Sequence, residues 1–251
     1  MDNALMVWRL RQQGRHPPVI TRRRFMTHPA EAQAQHPARP ARPIRLYRHV
    51  LSGHCHRVEL MLHLLDLPYE TIDIDLLAGE HKQPAFLAMN HFGQIPVIDD
   101  DGRVIADSNA ILTYLATRYD TRGTWLPRDA VAAAKVQRWL SVAAGDMAFG
   151  PAAARVVVVF QRPVDASAMI ERATLLLSRT EAYLTAPQAT PFLAGDTPTI
   201  ADVACYAYLA HAPEGNVSLA PYPAVRAWLA RVAALPRFVP MVSTACGLNA
   251  A

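Results

Sequence analysis

The hydrophobic periodicity of this chain changes once, near residue 120, and no other feature of the sequence restricts the fold as strongly. From Ile44 to about residue 118, short segments of alternating polarity are interleaved with segments whose apolar residues recur every three or four positions. The first pattern is typical of half-buried strands and the second of helices. Beyond Trp125-Leu126-Pro127 only the helical pattern remains. The sequence therefore predicts an α/β domain of order β-α-β-α-β-β-α, followed by an all-helical domain.

Turn and capping residues set the boundaries of the predicted elements. Asp99-Asp100-Asp101-Gly102 separates two strand patterns, and Asp-Gly is a strong hairpin signal. Thr199-Ile200-Ala201-Asp202 resembles a capping box with Asp in place of Glu. The run Val156-Val157-Val158-Val159 favours a strand by propensity, but its neighbours are helical, so a helix is predicted. Predicted strands cover residues 44–48, 69–75, 95–98 and 104–106, and predicted helices cover 52–65, 84–89, 108–118, 129–148, 152–160, 165–186, 199–211 and 223–235.

Charge divides the chain into a basic leader and a nearly neutral body. Residues 1–42 hold eight Arg against Asp2 and Glu31, a net charge of +6, whereas the remainder carries −2. The leader is rich in Pro, His, Gln and Ala, which is typical of disorder, and we expect its deletion to leave stability and activity intact. The body has no basic stripe, which argues against a nucleic-acid partner. The predicted organisation is a disordered leader at 1–43, an α/β domain at 44–120, a linker at 121–128 and a helical domain at 129–240.

Cysteine content and hydropathy limit the cellular compartment and the kinds of partner that can be expected. Cys55, Cys205 and Cys246 are too few and too scattered for a disulfide scaffold or a four-ligand zinc site. A reducing compartment, the cytoplasm, is therefore expected, and no metal site is predicted. No run of about 18 apolar residues is free of charge, so neither a membrane span nor a membrane partner is predicted.

Two features near the first and third strands of the α/β domain suggest a small, peptide-like ligand. Ser52 lies at the turn from the first strand into the first helix, where amides favour negative charge; a helix N-cap alone is the other interpretation. Cys55 follows in the same turn, either as a thiol of lowered pKa or as a small buried apolar residue. In Gln94-Ile95-Pro96-Val97, a cis bond before Pro96 would expose the Ile95 amide and carbonyl to an extended ligand.

Two further features add charged contacts to the same ligand. Ser108, after the hairpin, can bind a carboxylate through its hydroxyl and the helix amides, and Asp107 can face an ammonium; an N-cap is the alternative. His81 and Lys82 supply two donors in an otherwise acidic segment, which by default is a solvated loop. In chain order, the four features suit a tripeptide that has an ammonium, two carboxylates and a thiol.

The motifs together resemble those of the glutathione transferase superfamily over residues 44 to about 240. The resemblance implies a thioredoxin-like domain followed by a helical domain, assembled as a homodimer. Serine-type plant and bacterial classes (phi-, tau- and nu-like) are the nearest pattern. The matching motifs are Tyr47-x4-Ser52-x4-Arg57-Val58, Gly79-Glu80-His81-Lys82-x-Pro84-x-Phe86-Leu87, Asn90-x-x-Gly93-Gln94-Ile95-Pro96-Val97, Asp107-Ser108-x-Ala110-Ile111-x-x-Tyr114-Leu115 and Gly195-Asp196-x-Pro198-Thr199-Ile200-Ala201-Asp202.

The resemblance also implies a role for each candidate site residue. Ser52 matches the serine that hydrogen-bonds the glutathione sulfur. Many members have Glu where Asp107 stands, so this side chain is a methylene shorter. The other implied glutathione contacts are His81 and Lys82 to the glycyl carboxylate, Gln94 and the Ile95 backbone to the cysteinyl portion, Pro96 as the cis-proline, and Asp107 and Ser108 to the γ-glutamyl end.

The implied activity is conjugation of reduced glutathione to a hydrophobic electrophile, with glutathione as co-substrate and no metal. A role in detoxification is expected. The electrophile pocket is predicted between the domains, with His54, Met147 and Phe149 as lining residues. Some related bacterial members carry Asn where His54 stands and act as disulfide reductases, so a glutathione-dependent disulfide or peroxide reductase remains an alternative. A non-catalytic binding protein of the same fold is the third hypothesis.

Overall fold

Four strands form one mixed sheet in a computed structural model that describes residues 39–250. The predicted disordered leader lies almost wholly outside the described residues. The strands are β1 (Ile44–Arg48), β2 (Tyr69–Asp73), β3 (Val97–Asp100) and β4 (Arg103–Ala106). Their order is β2-β1-β3-β4, with β1 parallel to β2 and antiparallel to β3, and with β3 and β4 forming a hairpin. All four predicted strands are confirmed, although β3 begins only after Pro96, which has no N–H to donate to a neighbouring strand.

Helices cover both faces of this sheet. Helix α1 (Gly53–Leu64) and helix α3 (Ser108–Tyr119) pack against each other on the face that presents Leu46 and Ile98. The short helix α2 (Pro84–Met89) covers the opposite face, where Phe86 packs with Val97. Adjacent residues of a strand point to opposite faces, so β3 presents Ile98 to one helical layer and Val97 to the other. The predicted thioredoxin-like α/β fold is confirmed.

The rest of the described chain is helical, as predicted. Its main elements are α4 (Ala130–Ala144), α5 (Ala153–Val159), α6 (Ser167–Leu184), α7 (Ile200–Ala210) and α8 (Pro223–Ala233). A π-helical turn spans Ala148–Ala152, and 3-10 turns occur at Glu80–Lys82, Ala212–Gly215 and Gly247–Asn249. Helix α7 is the central element, because it packs against α1, α3, α4 and α8 and buries nearly all of its side chains.

The start of α7 is held by the predicted capping box. Thr199 Oγ1 accepts a hydrogen bond from Ala201 N at 3.2 Å, and Asp202 Oδ2 accepts one from Thr199 N at 2.9 Å. The second oxygen of Asp202 accepts from Leu193 N and from Trp228 Nε1, both at 2.9 Å. This buried carboxylate therefore joins α7 to the preceding loop and to α8.

The predicted interruption at Gly150-Pro151 takes the form of a π-helical turn. Helix α4 ends at Ala144, four residues before the predicted end, and the chain stays helical through Ala148–Ala152 before α5 begins. Proline has no N–H to donate to the preceding turn, which accounts for the irregular hydrogen bonding. The run of four valines is helical, as predicted from its neighbours rather than from its propensity.

One stretch of the described residues, Ala130–Val159, has the length and composition of a membrane-spanning helix, with a mean hydropathy of 1.5 in its most apolar window. The prediction of no such span rested on the absence of a long uncharged run, and this stretch carries charged residues such as Lys135 and Arg138. Trp139, Leu140 and Ala143 on its inner face are buried in the core. In this fold the stretch is a core element of the helical part.

Candidate functional site

A cavity of about 460 Å³ gathers residues from five separate segments of the chain. These segments are α1, the region from Leu76 to the 3-10 turn, the loop before β3, the start of α3, and the end of α4 with the π-turn. A volume of this size is typical of small-molecule sites. The lining residues include His81, Lys82, Gln94, Ile95, Pro96, Asp107 and Ser108, with His54, Arg57, Leu76, Gly93, Asn109, Ala144 and Ala148.

Ser52 is the N-cap of α1. Its backbone is extended, and its Oγ accepts a hydrogen bond from Cys55 N at 3.3 Å. This contact uses a lone pair of the oxygen and leaves the hydroxyl hydrogen free to donate. Ser52 itself is not a lining residue of the cavity, whereas His54, two residues further on, is. The hydroxyl therefore lies at the positive end of a helix that borders the cavity.

The Cys55 thiol is buried in the same helical turn, with 1% of its surface exposed. Burial raises the pKa of this thiol to about 11 and outweighs the opposing contributions of nearby groups. A thiol with such a pKa is protonated at neutral pH. The interpretation as a small buried apolar residue therefore applies, and the interpretation as a reactive thiol is wrong.

His81 and Lys82 reach the cavity from the 3-10 turn. Lys82 Nζ donates to the carbonyl oxygens of Phe92 and Gly93 at 3.2 and 2.9 Å. Gly93 has φ +56°, and a Cβ there would lie 2.7 Å from the His81 carbonyl oxygen, so only glycine fits this approach. His81 Nδ1 is buried and has no hydrogen-bond partner among the described residues. Lys82 Nζ, held on two neutral carbonyls, keeps its charge available to an anion.

The edge formed by Gln94, Ile95 and Pro96 is fixed by one buried amide. Asn90 Nδ2 donates to Gln94 O at 2.8 Å, and Asn90 Oδ1 accepts from Phe92 N at 3.1 Å. The Ile95–Pro96 peptide bond is cis, as the sequence analysis anticipated. All three edge residues line the cavity. The loop thus presents a backbone edge beside the 3-10 turn that carries His81 and Lys82.

Asp107, rather than Ser108, is the N-cap of α3. Its Oδ1 accepts hydrogen bonds from Asn109 N and Ala110 N, both at 2.9 Å. Its Oδ2 has no hydrogen bond to the described residues and remains available to a ligand ammonium. The φ of Asp107 is +73°, a conformation that costs a non-glycine residue about 1–3 kcal/mol. Such strain is typical of residues at binding sites.

Ser108 is the centre of a hydrogen-bonded chain that links α1 and α3. Its Oγ accepts from Arg57 Nη1 at 3.2 Å and lies 3.1 Å from His54 Nδ1. Arg57 Nη1 also donates to Asn109 Oδ1 at 2.9 Å. Arg57 and Asn109 were not among the predicted site residues. Arg57 could have been found from the sequence, because it is a charged residue at a buried position of the α1 pattern. It also belongs to a family motif, Tyr47-x4-Ser52-x4-Arg57-Val58, in which no role was assigned to it.

An apolar groove of about 470 Å³ adjoins the first cavity, and His54 and Ala148 line both. The His54 ring contacts Tyr208 edge-on, with 5.1 Å between the ring centroids. Burial, reinforced by the Arg57 charge, lowers the pKa of His54 to about 3, so the imidazole is neutral at physiological pH. The other lining residues of the groove are Ala152, Ala153, Val156, Val157, Arg162, Pro163, Val164, Met169 and Tyr208.

Two of the predicted pocket residues, Met147 and Phe149, do not line either cavity. Met147 is fully buried in the hydrophobic core. Phe149 is 61% exposed and lies against the Arg172 guanidinium. The prediction was wrong because the π-turn shifts the helical phase, which places Ala148 between them on the cavity wall.

The described residues contain no group of three or more His, Cys, Asp and Glu side chains placed to hold a metal ion. The three cysteines are free thiols. Cys205 is fully buried, and burial raises its pKa to about 12, whereas Cys246 is partly exposed. The polar groups of the two cavities therefore consist of amides, hydroxyls, imidazoles, carboxylates and cations.

Comparisons with known proteins give a consistent result. Residues 51–118 match the model of the glutathione S-transferase N-terminal domain, and residues 160–236 match that of the C-terminal domain. Among curated relatives, glutathione S-transferase 3 of Zea mays is 36% identical over 205 residues, which cover 78% of this chain and 91% of that protein.

Solved structures agree in fold as well as in sequence. A glutathione S-transferase from Pseudomonas fluorescens superposes with a TM-score of 0.74 at 34% identity, covering 80% of this chain and all of that one. A glutathione transferase homologue from Drosophila mojavensis with bound glutathione superposes with a TM-score of 0.71 at 26% identity, covering 77% of this chain and 89% of that one.

Proposed function

Because the chain belongs to the glutathione S-transferase superfamily, we propose that it conjugates reduced glutathione to apolar electrophiles through a thiolate stabilised by Ser52. One observation carries this proposal. The cavity that gathers the predicted glutathione contacts other than Ser52, which caps the bordering helix, shares a wall with an apolar groove, and His54 and Ala148 belong to both. Two different reactants can therefore be held side by side.

The chemistry of the first cavity supports glutathione as the co-substrate. Lys82 and His81 offer donors to one carboxylate, and the start of α3 offers the Ser108 hydroxyl and the positive end of a helix to the other. The free Oδ2 of Asp107 suits the ammonium group. Between these ends, the edge at Gln94 and Ile95 suits the peptide backbone of the ligand.

In the proposed mechanism, Ser52 donates its free hydroxyl hydrogen to the glutathione sulfur. A free thiol of pKa about 8.5 is only about 3% ionised at pH 7. A charge-assisted hydrogen bond of about 1.5–3 kcal/mol lowers that pKa by about one to two units. Lower basicity also weakens the nucleophile, so the net gain in rate from ionisation is about threefold. Most of the acceleration must therefore come from holding the sulfur beside the electrophile.

The apolar groove is the proposed electrophile site. Its walls are mainly alanine and valine side chains of the π-turn and α5, with Met169 and Tyr208. Such a surface favours an apolar body over a charged one. We propose the removal of reactive apolar compounds as the physiological role.

A substrate panel tests the reaction class. Purified protein should turn over an aryl halide or an enone with glutathione faster than it reduces bis(hydroxyethyl) disulfide or a hydroperoxide. Faster disulfide or peroxide reduction would favour the glutathione-dependent reductase instead, with two glutathiones per turnover because the buried Cys55 supplies no second thiol. Absence of glutathione binding at millimolar concentration would leave only a binding protein of this fold.

Replacing Ser52 by alanine tests the thiolate. We expect Ser52→Ala to lower kcat with the aryl halide about threefold, the gain that ionisation supplies, and to raise the pKa in the kcat/KM profile. The substitution also removes a helix cap, which is worth about 1 kcal/mol of stability.

Asp129→Ala is the matched control for the lost cap. Asp129 caps α4 by accepting from Val131 N and Ala132 N, and it is not a lining residue of either cavity. It should lose similar stability, measured by urea unfolding, and keep full activity. An unchanged kcat in Ser52→Ala would remove Ser52 from the mechanism.

We further propose that the protein is a cytoplasmic homodimer. Phe92 is 80% exposed and Leu77 is 95% exposed on the α/β part, and burial of these two side chains against a second copy would be favourable. Free cysteines are typical of a reducing compartment. Light scattering at micromolar concentration should give twice the chain mass, and Phe92→Ser should shift the protein towards monomer. Val131→Ser, a change at another exposed apolar residue, should not.

A further inference from the structure

Arg57 is a buried cation without a buried counter-charge. Its side chain is completely buried, and no carboxylate of the described residues lies within ion-pair distance. The other fully buried arginine, Arg155, has its charge balanced by Glu214, whose Oε2 lies 2.7 Å from Arg155 Nε. Leaving a charge buried and unpaired is strongly unfavourable. The contrast within one molecule indicates that Arg57 is kept for a partner other than the protein itself.

The hydrogen bonds of Arg57 are also incomplete. Only Nη1 is engaged, with Ser108 Oγ and Asn109 Oδ1, whereas Nε and Nη2 are buried without a partner in the described part of the chain. The face of Tyr208 lies 5.8 Å from the guanidinium and accounts for part of its stabilisation. Burial lowers the pKa of Arg57, although arginine stays protonated in proteins.

The charge of Arg57 is directed towards one place, the start of α3. Ser108 and Asn109, which Arg57 contacts, both line the first cavity. Asn109 is fixed in turn, because its Nδ2 donates to Leu140 O at 3.1 Å. The dipole of this 12-residue helix adds positive potential at the same place, while Asp107 Oδ1 already accepts from Asn109 N and Ala110 N. An anion at Ser108 would therefore supply the missing counter-charge.

We propose that Arg57 is a positioning residue for an anionic substrate group, and that it selects a carboxylate at Ser108. On the proposed function, which this inference presupposes, that group is the α-carboxylate of the γ-glutamyl end of glutathione. Arg57 acts through Ser108: arginine only donates, so it binds one lone pair of Ser108 Oγ. With His54 donating from Nδ1 to the other lone pair, the hydroxyl hydrogen is left for the carboxylate. The buried charge of Arg57 strengthens the hydrogen bond from Ser108 to the carboxylate, although Arg57 itself does not contact the substrate.

Ligand analogues separate this role from a structural one. The test compares glutathione with 4-aminobutyryl-cysteinylglycine, which lacks the α-carboxylate, and with glutaryl-cysteinylglycine, which lacks only the α-amino group. Dissociation constants are measured by calorimetry for the wild type and for Arg57→Met. The variant should bind glutathione and the glutaryl analogue about 10- to 100-fold more weakly, since a hydrogen bond to a charged group is lost.

The analogue without the carboxylate should bind both proteins equally. An equal loss for all three ligands would overturn the proposal, because it would show that Arg57 merely shapes the cavity. Arg57→Lys, which keeps the charge, should restore at least a third of the glutathione affinity. If Arg57→Met does not fold, the lysine variant and Ser108→Ala are compared with the same ligands, and loss confined to the two carboxylate ligands in Ser108→Ala supports the subsite.

Binding of the three ligands to the wild type distinguishes failure of this inference from failure of the proposed function. If the wild type binds none of the three ligands, the proposed function fails. If it binds glutathione and the decarboxylated analogue equally well, the proposed function stands and the role of Arg57 is wrong.

Discussion

At the scale of single residues, neighbouring side chains in one helical turn differ in their availability to a ligand because they differ in burial. Ser52 keeps a free hydroxyl hydrogen next to the cavity wall, whereas the Cys55 thiol is enclosed by the core. His54, between them, borders both cavities, yet its lowered pKa of about 3 makes it a neutral imidazole. Proximity to a site therefore does not define a catalytic group; solvent access and hydrogen-bonding capacity do.

The burial of Cys55 leads to a prediction at this scale. We expect Cys55→Ala to keep transferase activity within twofold, and iodoacetamide at pH 8 to leave activity unchanged, because a thiol of pKa about 11 has almost no thiolate at that pH. The lost packing should lower the stability by about 1–2 kcal/mol. Peptide mapping after alkylation should find label on the partly exposed Cys246 and none on Cys55. Rapid labelling of Cys55 with loss of activity would contradict the burial argument.

At the scale of elements, strands and helices were predictable where a single face is buried. Alternation identified β1, and Asp101-Gly102, both with positive φ, identified the hairpin. The pocket residues on the π-turn were not predictable, because a local change of helical phase decides whether Met147 or Ala148 faces the cavity. Periodicity carries no information about such a shift.

Contacts between distant elements are a second feature that could not be predicted from the sequence. The link from His54 to Ser108 joins residues 54 positions apart, and the link from Arg155 to Leu51 joins residues 104 apart. Both depend on how α1 packs against other elements, which no local pattern encodes. The motifs identified Ser108 as a ligand contact but could not identify the arginine beneath it.

The two buried arginines allow a stability prediction at the element scale. Arg155, on α5, donates from Nε to Glu214 and from Nη1 to Leu51 O at 2.7 Å. Arg155→Met would leave the buried Glu214 carboxylate without its guanidinium and bonded only through Oε1, to His211 Nδ1 and Thr244 N, which should cost about 3 kcal/mol in urea unfolding. Arg57→Met removes an unpaired charge instead and should stay within about 1 kcal/mol of the wild type. Equal destabilisation of both variants would show that the Arg155–Glu214 ion pair adds no stability beyond that of a buried arginine side chain.

At the scale of the whole molecule, buried histidines couple stability to pH. His54 and His56 both have lowered pKa values, about 3 and about 4, chiefly because burial disfavours the charged ring. In the unfolded chain their pKa values return to about 6.5. The unfolded state therefore binds more protons below pH 6.5, and the contribution to stability that is complete above that pH is lost as the pH falls.

We expect the free energy of unfolding to fall by about 3 kcal/mol between pH 7.5 and pH 5.5, through the two histidines together. Urea unfolding at a series of pH values measures this slope. His56→Gln should lose about half of this slope, because one of the two buried histidines is removed. Glutamine is chosen because it can still donate to Val239 O, as His56 Nε2 does at 2.9 Å. His91→Gln, at an exposed position, should keep the full slope. A slope that His56→Gln leaves unchanged would assign the acid sensitivity to other groups.

The contact from Arg155 to Leu51 has a consequence for engineering and for divergence. The carbonyl directly before Ser52 depends on a donor from the other half of the chain, so the two halves are not interchangeable modules. Grafting residues 44–120 onto the helical half of another transferase would deprive the serine loop of its anchor, unless the recipient supplies a guanidinium at the same place. Recombination between relatives should therefore succeed only when this arginine and its glutamate are inherited together with the loop that they support.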